Sequence, residues 1–249
     1  MKSRKVRTLG FSYSVFYSLL LFLLVTNVIY TQEQKQFEKR FEGIYKEEVE
    51  LNYLLYFPKD YSEDKSFPLL LFLHGAGERG NDLNLVKKHG PSKLIEEGKD
   101  FPFVVASPQC PTDKRWNTKA LIALIDEIIS NYKIDEDRIY VTGLSMGGNG
   151  TWRLATEIAN RLAAIIPICG WGDPFDICSI GNLPVWTFHG AKDFIVPVTS
   201  SQVLVDRLKY CKGNAKITIY PEAGHDSWTE TYNNPEIYEW LLSHSKSQR

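Results

Sequence analysis

From about residue 49 onward the chain alternates between short apolar runs and stretches whose apolar positions recur every three or four residues. Phe67-Pro68-Leu69-Leu70-Leu71-Phe72-Leu73 is apolar throughout, as a strand covered on both faces requires, and it stops at His74-Gly75. Residues 103–106 form a second such run. Residues 49–57 are rich in strand formers with partial period-two alternation before Pro58, which predicts an early edge or hairpin strand. Further strands are predicted at 138–142, 163–168, 184–188 and 216–220, and helical spacing at 121–129, 148–158, 200–210 and 235–242. Buried strands separated by helices imply an α/β fold: one mostly parallel sheet with helices on both faces, and ligands at the carboxyl ends of the strands. About fifteen residues separate the strands ending at Ile168 and starting at Pro184, too few for a large helical cap, so the site is expected to be open.

The first segment reads as an address. Lys2, Arg4, Lys5 and Arg7 precede residues 8–32, which carry no charged side chain and are most apolar at 15–25. That layout predicts a secretory signal over residues 1–31, cut near 30–34. If Val28, Ile29 and Tyr30 extend the apolar core, the alternative is a retained membrane anchor with an exported body. Residues 32–41 read as a polar tether, 42–243 as a single domain and 244–249 as a tail. The expected location is secreted or periplasmic, with membrane contact only through a retained anchor. Removing the signal takes four positive charges from 29 Lys and Arg and none from 30 Asp and Glu, leaving a mature net charge of −5. No basic field remains to attract nucleic acid, so no nucleic-acid partner is expected. In an oxidising compartment Cys110, Cys169, Cys178 and Cys211 allow three full pairings, and buried free thiols are an equal alternative. Without a CxxC or HExxH pattern, neither a metal nor another cofactor is expected.

The candidate chemistry lies at the predicted strand ends. Gly143-Leu144-Ser145-Met146-Gly147 stands directly between a strand and a helix. A sharp reversal there forces the central Ser into a strained backbone that tolerates only small neighbours two residues away, and it presents the hydroxyl at the sheet edge. The helix behind it offers unpaired N–H groups to developing negative charge. Asp193 follows a later strand and His225 the last one, which gives the chain order Ser, Asp, His that this architecture requires. His225 would take the Ser145 proton, and Asp193 would fix the tautomer of His225 and stabilise its cation. Asp173 and Asp176 follow the wrong strand, and Asp226 adjoins the histidine. His74 and His189 precede glycine at strand ends and are expected to hold loops; His89 and His244 are read as structural. His74-Gly75-Ala76-Gly77-Glu78-Arg79-Gly80 exposes backbone N–H groups, and Ala76 and Met146 are the expected oxyanion donors.

The combination of HGAGERG, the GLSMGG elbow followed by Asn149-Gly150-Thr151-Trp152, HGAKD with Val196-Pro197, and GHDSW resembles the α/β-hydrolase superfamily. Ser107-Pro108-Gln109-Cys110-Pro111 with Trp116, and the Cys169-Gly170 segment, are similar to its compact esterase branch. That branch comprises predicted peptidases, phospholipase/carboxylesterases, and feruloyl-esterase and polyhydroxyalkanoate-depolymerase relatives. The likeness runs over residues 42–242. It implies a single-domain serine esterase with Ser145 as nucleophile, His225 as base, Asp193 as acid, and Ala76 with Met146 at the oxyanion. Trp171 departs from the Cys-Gly-Gly-Gly-Asp-like pattern of such relatives and reshapes the pocket. An open cleft flanked by Trp116, Trp171 and Trp228 suits a bulky ester substrate, such as an acylated or feruloylated polysaccharide. The rival readings are a serine peptidase of the same fold and a non-catalytic carbohydrate-binding protein on the same scaffold.

Overall fold

Strand β2 (Phe67–Leu73) organises the molecule, because a seven-residue segment apolar on both faces can only lie inside a sheet with cover above and below. All seven of its residues are buried in the computed structural model, which describes residues 48–249. The signal, anchor and tether expectations, and the first residues of the expected domain, lie outside the described residues. Among the described residues no helix is long and apolar enough to cross a membrane.

The strands are β1 (Tyr53–Tyr56), β2, β3 (Val104–Pro108), β4 (Ile134–Leu144), β5 (Ala164–Ile168), β6 (Val185–Gly190) and β7 (Ala215–Tyr220). They form one sheet in the order β1-β3-β2-β4-β5-β6-β7. Only β1 runs antiparallel, on the edge beside β3, as the early edge strand was read. The helices are α1 (Gly90–Glu96), α2 (Thr118–Asn131), α3 (Met146–Ile158), α4 (Thr199–Tyr210), α5 (Trp228–Asn233) and α6 (Glu236–Leu242). Alternate side chains of β2 divide between two cores. Leu69, Leu71 and Leu73 pack with α2, α3 and α4, and Leu70 and Phe72 pack with α1, α5 and α6.

Several elements differ from the sequence expectation. Strand β4 starts at Ile134, which pairs with Phe67 before the register shifts to Leu69 opposite Ile139. The irregularity lies where Asp135 accepts the N–H of Asp137 and the Arg138 guanidinium, a local turn that masked the strand's first half. Helix α1 opens with Gly90 at φ +65° and Pro91, and α5 has the polar sequence WTETYN, so neither carries a strong apolar period. Between β5 and β6 the only helical element is a 3-10 turn (Ile177–Ile180), so this connection holds no helical cap. Cys178 and Cys211 form a disulfide with Cα atoms 5.9 Å apart, while Cys110 and Cys169 are buried free thiols. The cysteines therefore take one of each kind of fate left open by the sequence.

Candidate active site

The centre of the site is the join of β4 and α3. Ser145 holds φ +52°, ψ −113°, a conformation costly for a residue with a Cβ. The surroundings enforce it. A Cβ at Gly147 would stand 1.9 Å from the Leu73 carbonyl oxygen, and one at Gly143 2.4 Å from the Gly147 carbonyl oxygen. At the next residue, a Cβ on Gly148 would meet the Ile168 carbonyl oxygen at 2.6 Å. Glycine is thus required for α3 to start flush against β2 and β5, and the helix begins at Met146 although glycine is a poor helix former. The Ser145 N–H donates to the Ile168 carbonyl at 2.9 Å, and the Ser145 carbonyl accepts from Asn149 N at 3.0 Å. The hydroxyl makes no capping bond to the helix, so it remains available.

It is used by His225. The imidazole Nε2 lies 2.9 Å from Ser145 Oγ and its Nδ1 lies 2.7 Å from Asp193 Oδ2. Asp193 and His225 are brought together because β6 and β7 are parallel neighbours ending side by side. At that junction a Cβ on Gly190 would collide with the Gly224 carbonyl oxygen at 2.1 Å. The other carboxylate oxygen, Oδ1, accepts the backbone N–H groups of Ile195 and Val196 at 2.8 and 2.9 Å. Burial pushes the Asp193 carboxyl up, but the His225 hydrogen bond and those two N–H donors outweigh it, and the net displacement is below the usual carboxylate value. Asp226, the neighbouring alternative, instead accepts from the N–H and hydroxyl of Thr229 in the first turn of α5.

Ala76 and Met146 sit at the ends of adjacent strands, since Leu73 of β2 is in register with Gly143 of β4. Ala76 is exposed at the start of a 3-10 turn (Ala76–Glu78), and Met146 is the first residue of α3. Among the described residues neither N–H makes a backbone hydrogen bond. His74 ties down this loop as expected: Nδ1 donates to the Gly75 carbonyl at 2.6 Å and Nε2 accepts from Cys110 N at 3.0 Å. Burial lowers its pKa from 6.5 to about 4, so the ring is neutral. His189 similarly bridges Ser201 Oγ and the Val196 carbonyl.

The three tryptophans separate. Trp116 is 3% exposed and does not flank a cleft. Its indole N–H donates to the His74 carbonyl at 3.2 Å, and its ring fills the space that Gly150 leaves, where a Cβ would lie 2.8 Å from it. This corrects the expectation for Trp116, which is a core residue packed under the loop that follows β2. Trp228 is half-buried and meets the His225 ring edge-on at 5.3 Å, and the His89 ring at 5.5 Å. Trp171 is half-buried, with the Arg115 guanidinium over its ring at 5.9 Å.

Two neighbours belong to runs that carry the resemblance, but the sequence assigns them no role in the site. Asn149 donates from Nδ2 to the Trp171 carbonyl at 2.8 Å and so links the Ser145 turn to the segment after β5. Cys169 has φ +40°, and its sulfur lies within 4.8 Å of donor atoms of Asp193 and His225. Burial pushes that thiol up to about 12, so it is a neutral neighbour at pH 7. The donor atoms of Asp193 and His225 are already committed to each other.

Residues 102–238 match the phospholipase/carboxylesterase family. The chain is 31% identical over 137 residues to the bifunctional acetylxylan esterase/xylanase XynS20E of Neocallimastix patriciarum, a match covering 52% of this chain and 20% of that protein. It is 25% identical over 189 residues to the probable feruloyl esterase C of Aspergillus niger, covering 72% of this chain and 68% of that one. Among solved structures, a thermostable esterase superposes with a TM-score of 0.70 at 38% identity, covering 79% of this chain and 60% of the other. The chain therefore spans a fifth of XynS20E and 60% of the thermostable esterase. The family match takes in more than half of the chain, including the elbow, Asp193 and His225, and the chain belongs to the phospholipase/carboxylesterase family.

Proposed function

We propose that this protein is an exported serine hydrolase that cleaves carboxylic esters through an acyl-enzyme, acting on bulky esters of the acylated or feruloylated polysaccharide type. The reading is carried by one observation: a single imidazole bridges the hydroxyl of a strained Ser145 and the buried carboxylate of Asp193. With a carboxylate at Nδ1, the ring proton is held there and Nε2 is left as the acceptor. Ser145 Oγ attacks the ester carbonyl carbon as its proton passes to His225 Nε2. The carbonyl electron pair moves to oxygen, where the N–H groups of Ala76 and Met146 and the amino end of α3 stabilise it. Such donors are each worth about 10²–10³ in turnover. His225 then returns the proton to the departing alkoxy oxygen, and the acyl group stays on Ser145. Water, deprotonated by His225, attacks that acyl carbon and releases the acid, restoring the Ser145 hydroxyl.

The substrate class is supported by the short β5–β6 connection, by the half-buried Trp171 and Trp228, and by relatives named for acetylxylan and feruloyl esters. Export is supported by the charge layout of residues 1–31 and by the Cys178–Cys211 disulfide, a bond that persists in oxidising compartments. The test is pre-steady-state hydrolysis of p-nitrophenyl acetate, followed by acetate release from acetylated xylan. The proposal expects a burst of one nitrophenolate per chain, abolished in Ser145→Ala, and turnover of the polymer. Equal turnover by the variant would overturn it.

A further inference from the structure

We infer that the cleft between helix α3 and residues 171–177 is a subsite for a neutral polysaccharide chain carrying the scissile ester, an inference that rests on the ester-hydrolase reading. The cleft has a volume of about 720 Å³, within the range of ligand sites. It is built on the same turn as the nucleophile. Asn149 lines it, donates its backbone N–H to the Ser145 carbonyl, and holds the Trp171 carbonyl through Nδ2. Ser145, Asp193 and His225 do not line it, so a chain seated there reaches the reacting hydroxyl past Asn149, one helical turn away.

Its chemistry is that of sugar recognition. Trp171 and Phe175 line it, and Phe175 is 86% exposed, so its ring face is open to a ligand. Phe175 is also pre-positioned, because Asp173 Oδ1 accepts the Phe175 N–H at 2.8 Å and the Asp173 carbonyl accepts from Ile177 N. Aromatic faces of this kind cover the C–H faces of pyranose rings. Hydroxyl groups of such rings find acceptors in Asp173, Asp176 and Glu157, and a donor in Arg153. Arg153 already gives Nη1 to the Trp116 carbonyl at 3.1 Å, and Glu157 already accepts from Thr118 Oγ1. Three lining carboxylates face one lining guanidinium, with that of Arg115 over the Trp171 ring at the margin, and this remaining excess of negative charge disfavours a uronate polymer relative to an uncharged one. On the floor, Trp152 lines the cleft, and its indole N–H is buried without a partner among the described residues.

The test separates this inference from the esterase reading by measuring binding without turnover. Xylohexaose, cellohexaose and oligogalacturonate are titrated by calorimetry into Ser145→Ala protein, with and without the added pair Phe175→Ala and Asp176→Ala, both at exposed positions. The inference expects at least one neutral hexasaccharide to bind, at least tenfold weaker binding of oligogalacturonate, and at least a tenfold loss in the protein with the added pair. In the otherwise wild-type chain, the same pair lowers the ratio of kcat/KM for acetylated xylo-oligosaccharide over p-nitrophenyl acetate about tenfold, through KM. No binding of either neutral hexasaccharide, or undiminished binding after the substitutions, overturns the subsite even if aryl esters are turned over normally. Absence of any ester turnover by folded protein overturns the esterase reading instead, whatever the calorimetry shows.

Discussion

Gly147→Ala probes the packing that holds Ser145 in place. The added methyl carbon would stand 1.9 Å from the Leu73 carbonyl oxygen, 2.5 Å from its carbon and 2.7 Å from the His74 carbonyl oxygen. All three are backbone atoms of β2 and the loop that follows it, so no side chain can swing aside. Reaching even 3.0 Å requires the amino end of α3 to withdraw from β2 by about 1.1 Å. Overpacking of this kind costs about 3 kcal/mol. The same displacement moves Ser145 Oγ away from His225 Nε2, now 2.9 Å distant, and a misplacement near 1 Å costs about 10²-fold in turnover. Urea unfolding followed by tryptophan fluorescence and p-nitrophenyl acetate hydrolysis measure the two effects. Gly77→Ala is the control, since a Cβ there meets nothing within 4 Å, and its stability should stay within about 0.5 kcal/mol of wild type. If Gly147→Ala were as stable and active as the control, the close seating of α3 on β2 would be wrong.

Asp193→Asn preserves shape but presents His225 Nδ1 with an amide. The expected loss is about 10⁴-fold in kcat with little change in KM, read by steady-state kinetics. His74 makes stability pH-dependent: its folded value of about 4 lies below 6.5, so the unfolded chain binds more protons between those limits and stability is lost as pH falls through them. The interval corresponds to roughly 3 kcal/mol, and His74→Gln should flatten that part of the stability–pH curve in urea titrations. Cys211→Ser opens the loop between Cys178 and Cys211, 33 positions apart, and should lower stability by roughly 2–4 kcal/mol under oxidising conditions while leaving the reduced protein unchanged.

Much of this architecture was legible because its strongest signals are dictated by burial. β2 reads from Phe67 to Leu73 without error, since a strand covered on both faces leaves no polar residue to blur its ends. The meeting of Ser145, Asp193 and His225 was legible because a parallel sheet delivers successive strand ends to one edge, so order along the chain becomes proximity in space. What failed to show were elements fixed by tertiary contact. Met146 and Gly147, the first two residues of α3, read as part of the turn before the helix, and the close seating of this glycine-rich start on β2 and β5 makes them helical. Trp116 looked like a binding face because an indole has the same composition on the surface and in the core. Its burial depends on Gly150, from another element, leaving a space of its size. Asn149 belongs to the quoted elbow run, yet its role as a link to Trp171 follows from a distance no spacing encodes. The disulfide likewise joins two cysteines 33 positions apart, one in the 3-10 turn after β5 and one closing α4.

The most direct measurement is covalent labelling with a fluorophosphonate, mapped by peptide mass spectrometry in the wild-type chain and in His225→Ala. One adduct per chain on Ser145, formed at least a thousandfold more slowly in the variant, is the expected result. An adduct on another residue, or labelling of Ser145 at an undiminished rate without the imidazole, would contradict the account.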